Sequence, residues 1–234
     1  MSHIVVINRS GNTGKSTASD HMIAPRFNGA EVLRIESINS HEGDDTDNLR
    51  GDQYGQILRG IAILPASVID VGSSNAEDFV NYMKQYAGSH EVFDTFVVPT
   101  VAKPKQMKDT IKTIDALSDL GVPASKIRVL FNMVEGDDTE LEEDFGPIFA
   151  FFNSEKKFTL NTKAVIYTND FYSDPARKGL TVDEILKDKT DFNALLVKAE
   201  TQQEKMEISE RRALKFLATG LKVQLDNAFA ATFG

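Results

Sequence analysis

The chain lacks cysteine and tryptophan, and it has no long apolar run. Without cysteine there can be no disulfide, no thiolate metal site and no cysteine nucleophile, which agrees with a reducing cytoplasm. The longest apolar runs, such as 96–99 and 129–131, are far shorter than the roughly 20 residues that span a bilayer. The N-terminus also lacks a basic stretch followed by an apolar one. We therefore expect a soluble, cytoplasmic protein with no signal peptide and no membrane partner.

Positive charge is scarce as well, because 26 lysines and arginines face 35 acidic residues and give a net charge of -9. An acidic body repels phosphate backbones, so nucleic acid is not expected to bind over the whole surface. Contact with DNA through a local basic patch, or indirectly through another protein, stays open. The 234 residues suit either one globular domain or a core domain with a helical appendage, and we favour the second. We expect an α/β domain over 1–190 and a helical C-terminal extension over 191–234, packed on that domain or on a second subunit.

The N-terminal segment 4–17 has the most informative pattern, IVVINRSGNTGKST. It predicts an apolar strand, a glycine-containing turn and the start of a helix. Backbone N–H groups in such a turn converge with the positive end of the helix dipole, which makes a cradle for phosphate. Lys15 would reach the outer phosphates, and the Ser16 hydroxyl would bind a magnesium ion that also touches the nucleotide. The candidate nucleotide-binding residues are Gly11, Asn12, Thr13, Gly14, Lys15, Ser16 and, as a weaker candidate, Thr17.

The usual phosphate-loop pattern places a glycine five positions before Gly14, where this chain has Arg9. The alternative interpretation is therefore a Gly-Lys-Ser-Thr turn that only caps a helix. That interpretation leaves the apolar strand before the turn unexplained, so we favour the phosphate loop.

Short apolar segments alternate with helical ones along the chain, which favours an α/β fold with a mostly parallel sheet and helices on both faces. In the segment 106–120, Met107, Ile111, Ile114 and Leu117 lie on one helical face, and Gly121 ends the helix. Strands are predicted at 3–8, 31–36, 66–70, 93–99, 127–132 and 163–168. Helices are predicted at 14–25, 53–63, 75–87, 104–120, 141–152 and 181–187.

Two strand ends carry further candidate residues. Asp70 follows an apolar strand and precedes Gly72, a position where α/β sheets place ligand chemistry. It could hold magnesium or orient the attacking water, or it could cap the next helix. Asn132 ends the strand 127–132, where its amide could read both edges of adenine or could cap a turn.

The C-terminal segment has an apolar stripe formed by Leu214, Leu217, Leu221 and Leu225. The stripe predicts a helix that docks on the sheet domain or on a second subunit. Basic residues near the stripe leave binding to an anionic membrane or DNA as a second interpretation, although the acidic Asp226 and Glu210 weaken a purely basic face. We favour packing.

With these motifs in this order, residues 1–170 resemble the ParA/MinD group of P-loop ATPases with a deviant Walker A phosphate loop. Within that group the chain looks most like plasmid stability and partition proteins of the StbB type. In the family a second lysine of the phosphate loop reaches across a nucleotide-sandwiched dimer, and the matching position here is Ser10. The family also has an acidic pair after its second strand, where Glu36 matches the first acid and Ile38 stands in place of the second.

The resemblance implies ATP and Mg²⁺ as cofactors and a homodimer as the working state. It implies Lys15, Asp70 and Glu36 as catalytic residues, Ser16 and Asp70 as metal ligands, and Asn132 as the adenine contact. It also implies that the region of Lys103, Lys105 and Lys108 helps to form the dimer face.

Three function classes follow. The first is a slow ATPase switch that positions or segregates plasmid DNA, with a separate DNA-binding adaptor protein as partner. The second is a P-loop small-molecule kinase or ATP-dependent ligase, for which the scattered histidines mark no acceptor site. The third is a nucleotide-dependent interaction module without hydrolysis, which Ser10 and Ile38 favour.

Overall fold

We describe a computed structural model, which places residues 2–27, 30–35, 49, 51–136, 140–173 and 179–234. Within these residues, six strands form one sheet in the order β2-β3-β1-β4-β5-β6, and every neighbouring pair is parallel. The predicted α/β class with a parallel sheet is confirmed. The strands are β1 (Ser2–Val6), β2 (Glu31–Arg34), β3 (Ala66–Asp70), β4 (Thr95–Thr100), β5 (Ile127–Val134) and β6 (Val165–Tyr167).

Helices connect the strands and cover both faces of the sheet. The first, α1, is α-helical over Lys15–Thr17 and continues as a π-helix over Ala18–Ile23 and a 3-10 turn over Ala24–Arg26. Two further 3-10 turns lie at Ser89–Val92 and Ala124–Lys126. The remaining helices are α2 (Gly51–Ile61), α3 (Ala76–Gln85), α4 (Pro104–Asp119), α5 (Leu141–Asp144), α6 (Gly146–Glu155), α7 (Asp170–Ser173), α8 (Val182–Lys187), α9 (Phe192–Lys198) and α10 (Gln202–Phe233).

The core has two layers because successive side chains of a strand point to opposite faces of the sheet. Val5 and Ile7 face the layer that α2, α3, α4 and α6 cover, whereas Ile4 and Val6 face the layer of α1, α8 and α10. Central strands of such a sheet are apolar on both sides, which is why β1 contains the apolar run 4–6 and β4 the apolar run 96–99.

Each predicted strand is present, with ends shifted by zero to two residues. The helix predicted at 141–152 is divided at Phe145 into α5 and α6, because Pro147 begins a new helix more easily than it continues one. The strand β5 extends past Asn132 through an irregularity at Met133, whose φ is +54°.

The C-terminal helix α10 packs on the sheet domain of its own chain. Leu221 and Leu225 are buried beside Val6 and Val68, and Leu214 and Leu217 pack against the same layer. The predicted leucine stripe is therefore a core contact, as we favoured. The boundary between the α/β domain and the C-terminal extension at residue 190 stays a prediction.

Among the described residues, no helix combines the length and the apolarity that crossing a membrane requires.

Candidate functional site

The loop between β1 and α1 lies at the carboxyl edge of the sheet, where β1 has β3 on one side and β4 on the other. The connection that follows β1 leads to β2 on one side of the sheet, whereas the connection that follows β4 leads to β5 on the other side. Open α/β sheets bind ligands at such a point. The strand register places Asp70 beside Val6 and Arg34 beside Asp70. Two charged side chains therefore stand next to the loop.

Gly14 is required by the shape of the loop. Its φ is +79°, in the left-handed region that a side chain disfavours, and a Cβ at this position would lie 1.7 Å from Asn132 Nδ2. The Asn132 amide donates a hydrogen bond to the Thr13 carbonyl oxygen at 2.9 Å, and Asn132 is only 2% exposed. β5 thus holds the loop through the Asn132 side chain, which leaves room only for a glycine at position 14.

Lys15 folds back over the loop. Its Nζ donates to the Ser10 carbonyl oxygen at 3.2 Å, and the residue is 9% exposed. Since Lys15 also begins α1, its ammonium and the N-terminal amides of the helix add positive potential to the same place. The buried Thr13 hydroxyl has no hydrogen-bond partner among the described residues.

A polar network fixes the start of the loop, and sequence reasoning missed it. Asn8 Oδ1 accepts from the Ser10 N–H at 2.8 Å, while Asn8 Nδ2 donates to the Pro99 carbonyl at 2.8 Å and to Thr110 Oγ1 at 2.7 Å. The Arg9 N–H donates to Thr113 Oγ1 at 3.2 Å. The available signal was the presence of two threonines on the buried face of α4, where an amphipathic helix usually places apolar residues.

Asp70 ends β3 inside this site and is 5% exposed. Burial raises the pKa of the Asp70 carboxyl, whereas a hydrogen bond from the Ser16 hydroxyl and the charges of Lys15 and Arg34 act in the opposite direction. Arg34, which the sequence did not single out, also pairs with Asp20. Ser16 and Asp70, predicted as metal ligands, are therefore in direct contact.

One cavity of about 520 Å³ collects these groups, a volume within the range of small-molecule sites. It contains every predicted loop residue together with Asp70. Its lining residues are Gly11, Asn12, Thr13, Gly14, Lys15, Ser16, Thr17, Arg34, Asp70, Gly72, Ser73 and Met133.

A second cavity of about 420 Å³ lies at the ends of β4, β5 and β6. Met133, which is 44% exposed, lines both cavities. Lys103, Glu135 and Asp144 contribute charge to the second one.

Two other predicted site residues are not in the described lining of the first cavity. Glu36, together with Ile38, lies outside the described residues. Asn132 is bound to Thr13, and its contact with adenine stays a prediction.

In the part of the chain that the structure describes, no three His, Asp or Glu side chains are grouped as a metal cage. A cation at Ser16 and Asp70 would have to draw its remaining ligands from water and phosphate, as Mg²⁺ commonly does.

No protein-family model matches the chain, and no curated protein matches its sequence. Solved structures do match. Apo McdA of Cyanothece is 12% identical, with a TM-score of 0.50 and 99% of both chains covered. The MinD cell division protein of Aquifex aeolicus is 13% identical, with a TM-score of 0.49 over 91% of this chain and 97% of MinD. The pnob8 ParA is 13% identical, with a TM-score of 0.45 over 96% of this chain and 97% of ParA.

The similarity to McdA extends over the whole chain and shows a shared fold. The finer resemblance to the StbB type stays a prediction.

Proposed function

We propose that this chain binds ATP and Mg²⁺ at the loop between β1 and α1 and acts as a slow ATPase switch that positions or segregates cargo in the cell. The observation that carries the proposal is the arrangement of Lys15. This lysine is folded over a glycine-dependent loop at a helix N-terminus, next to the contact between Ser16 and Asp70. A helix-capping turn requires neither the buried ammonium nor the carboxylate.

Phosphate recognition follows from the loop. Main-chain N–H groups of Gly11 to Gly14 would surround the β-phosphate, and Lys15 Nζ would move from the Ser10 carbonyl to the outer phosphate oxygens. The Thr13 hydroxyl offers a further donor. Gly72 and Ser73 also line this cavity, and the γ-phosphate would lie near them.

The residues present fit a magnesium ion. Ser16 and Asp70 supply a hydroxyl and a carboxylate, the hard oxygen donors that Mg²⁺ prefers, and both face the cavity. When bound, the ion would neutralise charge on the transferred phosphoryl group. The Asp70 carboxylate would hold the Ser16 side chain in position and would face the attacking water. Glu36 remains a proposed second carboxylate.

Hydrolysis would join a water oxygen to the γ-phosphorus, break the bond to the bridging oxygen and release ADP and phosphate. In this reaction the protein contributes positioning and positive charge rather than covalent chemistry. Ser10 occupies the position at which the resemblance expects a lysine, so one cation fewer faces the developing charge. We infer slow turnover from that difference.

The nucleoside would extend from the phosphates past Met133 toward the second cavity. Met133 would pack against the base, because a flexible thioether adapts well to flat aromatic groups.

The biological role is proposed from the resemblance, which implies an ATP-linked homodimer in plasmid stability or partition and a DNA-binding adaptor protein. One observation supports a direct anionic contact as well. Lys103, Lys105 and Lys108 are exposed at the start of α4, and none of them has an ion pair within the described residues. They would provide a local basic patch on an acidic protein.

Two other functions remain as alternatives. Ser10 favours an interaction module that binds nucleotide without hydrolysing it. The charged second cavity would suit the acceptor of a small-molecule kinase or ATP-dependent ligase.

Phosphate release from Mg²⁺-ATP tests the proposal, measured with and without DNA for the wild type, Lys15→Ala and the exposed control Lys84→Ala. A switch predicts slow release in the wild type and Lys84→Ala and loss of release in Lys15→Ala. A wild-type rate equal to that of Lys15→Ala under every condition favours the interaction module. ATP consumption that depends on an added metabolite favours the kinase or ligase.

A further inference from the structure

The long helix α10 has a second apolar face that its own chain leaves in solvent. Phe216 is 69% exposed, Met206 is 59% exposed and Val223 is 58% exposed, although the helix already buries Leu221 and Leu225 on the sheet. Together with the smaller residues between them, of which Ser209 is half-buried, these residues recur at alternating spacings of three and four, which is the pattern of a coiled-coil seam. The seam consists of Met206, Ser209, Ala213, Phe216, Gly220, Val223, Asn227 and Ala230.

Gly220 is the informative member of this seam. Glycine is destabilising inside a helix relative to alanine, and Gly220 lies in the middle of a helix of 32 residues. Among the residues that the structure describes, none would come within 4 Å of a Cβ at this position. The packing of the chain on itself therefore gives no reason for glycine here, whereas close approach by another helix does.

We propose that this seam pairs with the same seam of a second copy of the chain, in antiparallel orientation. A two-fold axis between Phe216 and Gly220 makes each contact occur twice, as isologous pairing requires. Every large seam residue then faces a small one. The pairs are Phe216 with Gly220, Val223 with Ala213, Met206 with Ala230, and Asn227 with Ser209.

Parallel pairing does not give this fit. It would place Phe216 against its own copy and Gly220 against its own copy, so that one layer is crowded and another leaves a gap. Both conditions are unfavourable in close-packed interfaces.

Polar groups on one edge of the seam agree with the antiparallel arrangement, because Glu210 faces Gln224 of the second copy and can accept a hydrogen bond from its amide. On the other edge, Arg212 and Asp226 already have partners in their own chain, which are Asn193 for Arg212 and both Arg26 and Lys222 for Asp226.

The surface beside the seam also fits the second copy. A groove of about 560 Å³ runs between the C-terminal end of α10 and the segment 161–167, with Ala230, Ala231, Val165 and Tyr167 among its walls and Lys163 at its rim. The antiparallel register brings Met206 of the second copy to this groove. Glu207 of the second copy would then face Lys163, for which the described residues show no ion pair.

This pairing does not depend on nucleotide, since the seam lies on α10 and includes no residue of the phosphate loop. Sedimentation of the full chain without nucleotide tests it. The expected result is a dimer in the wild type and at least tenfold weaker association in Gly220→Leu, which fills the position that receives Phe216. A matched control is Gly60→Leu, a helical glycine in α2 that also has open space around a Cβ. Gly60→Leu and Lys15→Ala should both stay dimeric.

Cross-linking measures the orientation on a background without native cysteine. Ala213→Cys and Val223→Cys should each give no disulfide-linked dimer alone, whereas a mixture of the two should give one. Cross-linking of each variant with itself would indicate parallel pairing and overturn the proposal. A wild-type monomer, or a Gly220→Leu variant as dimeric as the wild type, would also overturn it. A monomer that co-sediments with anionic phospholipid vesicles through Phe216 would assign the seam to a membrane surface instead.

Discussion

The side-chain amide of Asn132 occupies the space that a Cβ on Gly14 would need, with 1.7 Å between the Asn132 Nδ2 atom and the ideal Cβ position. The same amide holds the loop through the Thr13 carbonyl oxygen. One strand end therefore determines both the course of the phosphate loop and the residue type that the loop can contain.

Gly14→Ala is expected to lower the free energy of unfolding by at least about 1 kcal/mol, because a left-handed alanine alone costs roughly that much. Chemical denaturation measures the effect, with Gly11→Ala as the control, since a Cβ there meets only an ordinary contact of 3.5 Å with Ser73. Asn132→Ala should cost less stability in the Gly14→Ala background than in the wild type, because it then removes a clash. Strict additivity in this double-mutant cycle would contradict the geometry.

Asn132→Ala also separates two roles of this side chain. If Asn132 acts by holding Thr13, the variant should lose affinity for ATP and for inorganic triphosphate by the same factor, of about three- to tenfold for one hydrogen bond. If it reads adenine, only ATP affinity should fall. Titration calorimetry with both ligands decides between the roles.

Asp70→Asn is expected to stabilise the protein without nucleotide at neutral pH. Burial raises the pKa of Asp70 in the folded state, so the folded state prefers the protonated form, and stability from this group is lost as pH rises through the folded pKa. The neutral amide avoids that loss, and the advantage should shrink as the pH falls toward the unfolded pKa of Asp, about 4.

The same variant should bind Mg²⁺-ATP at least about tenfold more weakly, because the hydrogen bond to Ser16 and the carboxylate are both changed. Thermal unfolding with and without Mg²⁺-ATP measures both effects. Asp52→Asn, on the exposed surface of α2, serves as the control. A variant that is less stable at neutral pH yet binds ATP normally would show that Asp70 has no place in the site.

Thr110→Val tests the network behind the loop. It keeps the shape of the side chain but leaves Asn8 Nδ2 without one buried partner, at a cost of about 1 to 3 kcal/mol. Thr232→Val is a matched control, because among the described residues its buried hydroxyl bonds only to the helix carbonyl four residues earlier. Thr110→Val should also weaken ATP binding, since Asn8 positions Ser10, and Thr232→Val should not. Equal ATP affinities in the two variants would contradict a link between the network and the loop.

Local signals predicted the elements well. Apolar runs located the strands, and the spacing of Met107, Ile114 and Leu117 located α4. The glycine-lysine turn and Asp70 were predicted because strand, turn and residue type occur together in sequence. The division of the helix at Pro147 also had a local signal, but the prediction did not use it.

Contacts between distant segments were not predictable in the same way. Asn132 and Thr13 are 119 positions apart, and Asn8 and Thr110 are 102 apart. Arg34 reaches the site only through the register of β2 with β3. No local sequence pattern indicates these contacts, because they depend on strand order and register, which the sheet as a whole determines.

The central claim is that the loop around Gly14 and Lys15 binds the triphosphate of ATP. Titration calorimetry of Mg²⁺-ATP into the wild type, Lys15→Ala and Lys84→Ala tests it most directly. We expect binding to the wild type and Lys84→Ala, and an affinity at least about tenfold lower for Lys15→Ala, which loses a charge-assisted contact to phosphate. No heat of binding to the wild type at millimolar ATP, or the same affinity in Lys15→Ala, would contradict it.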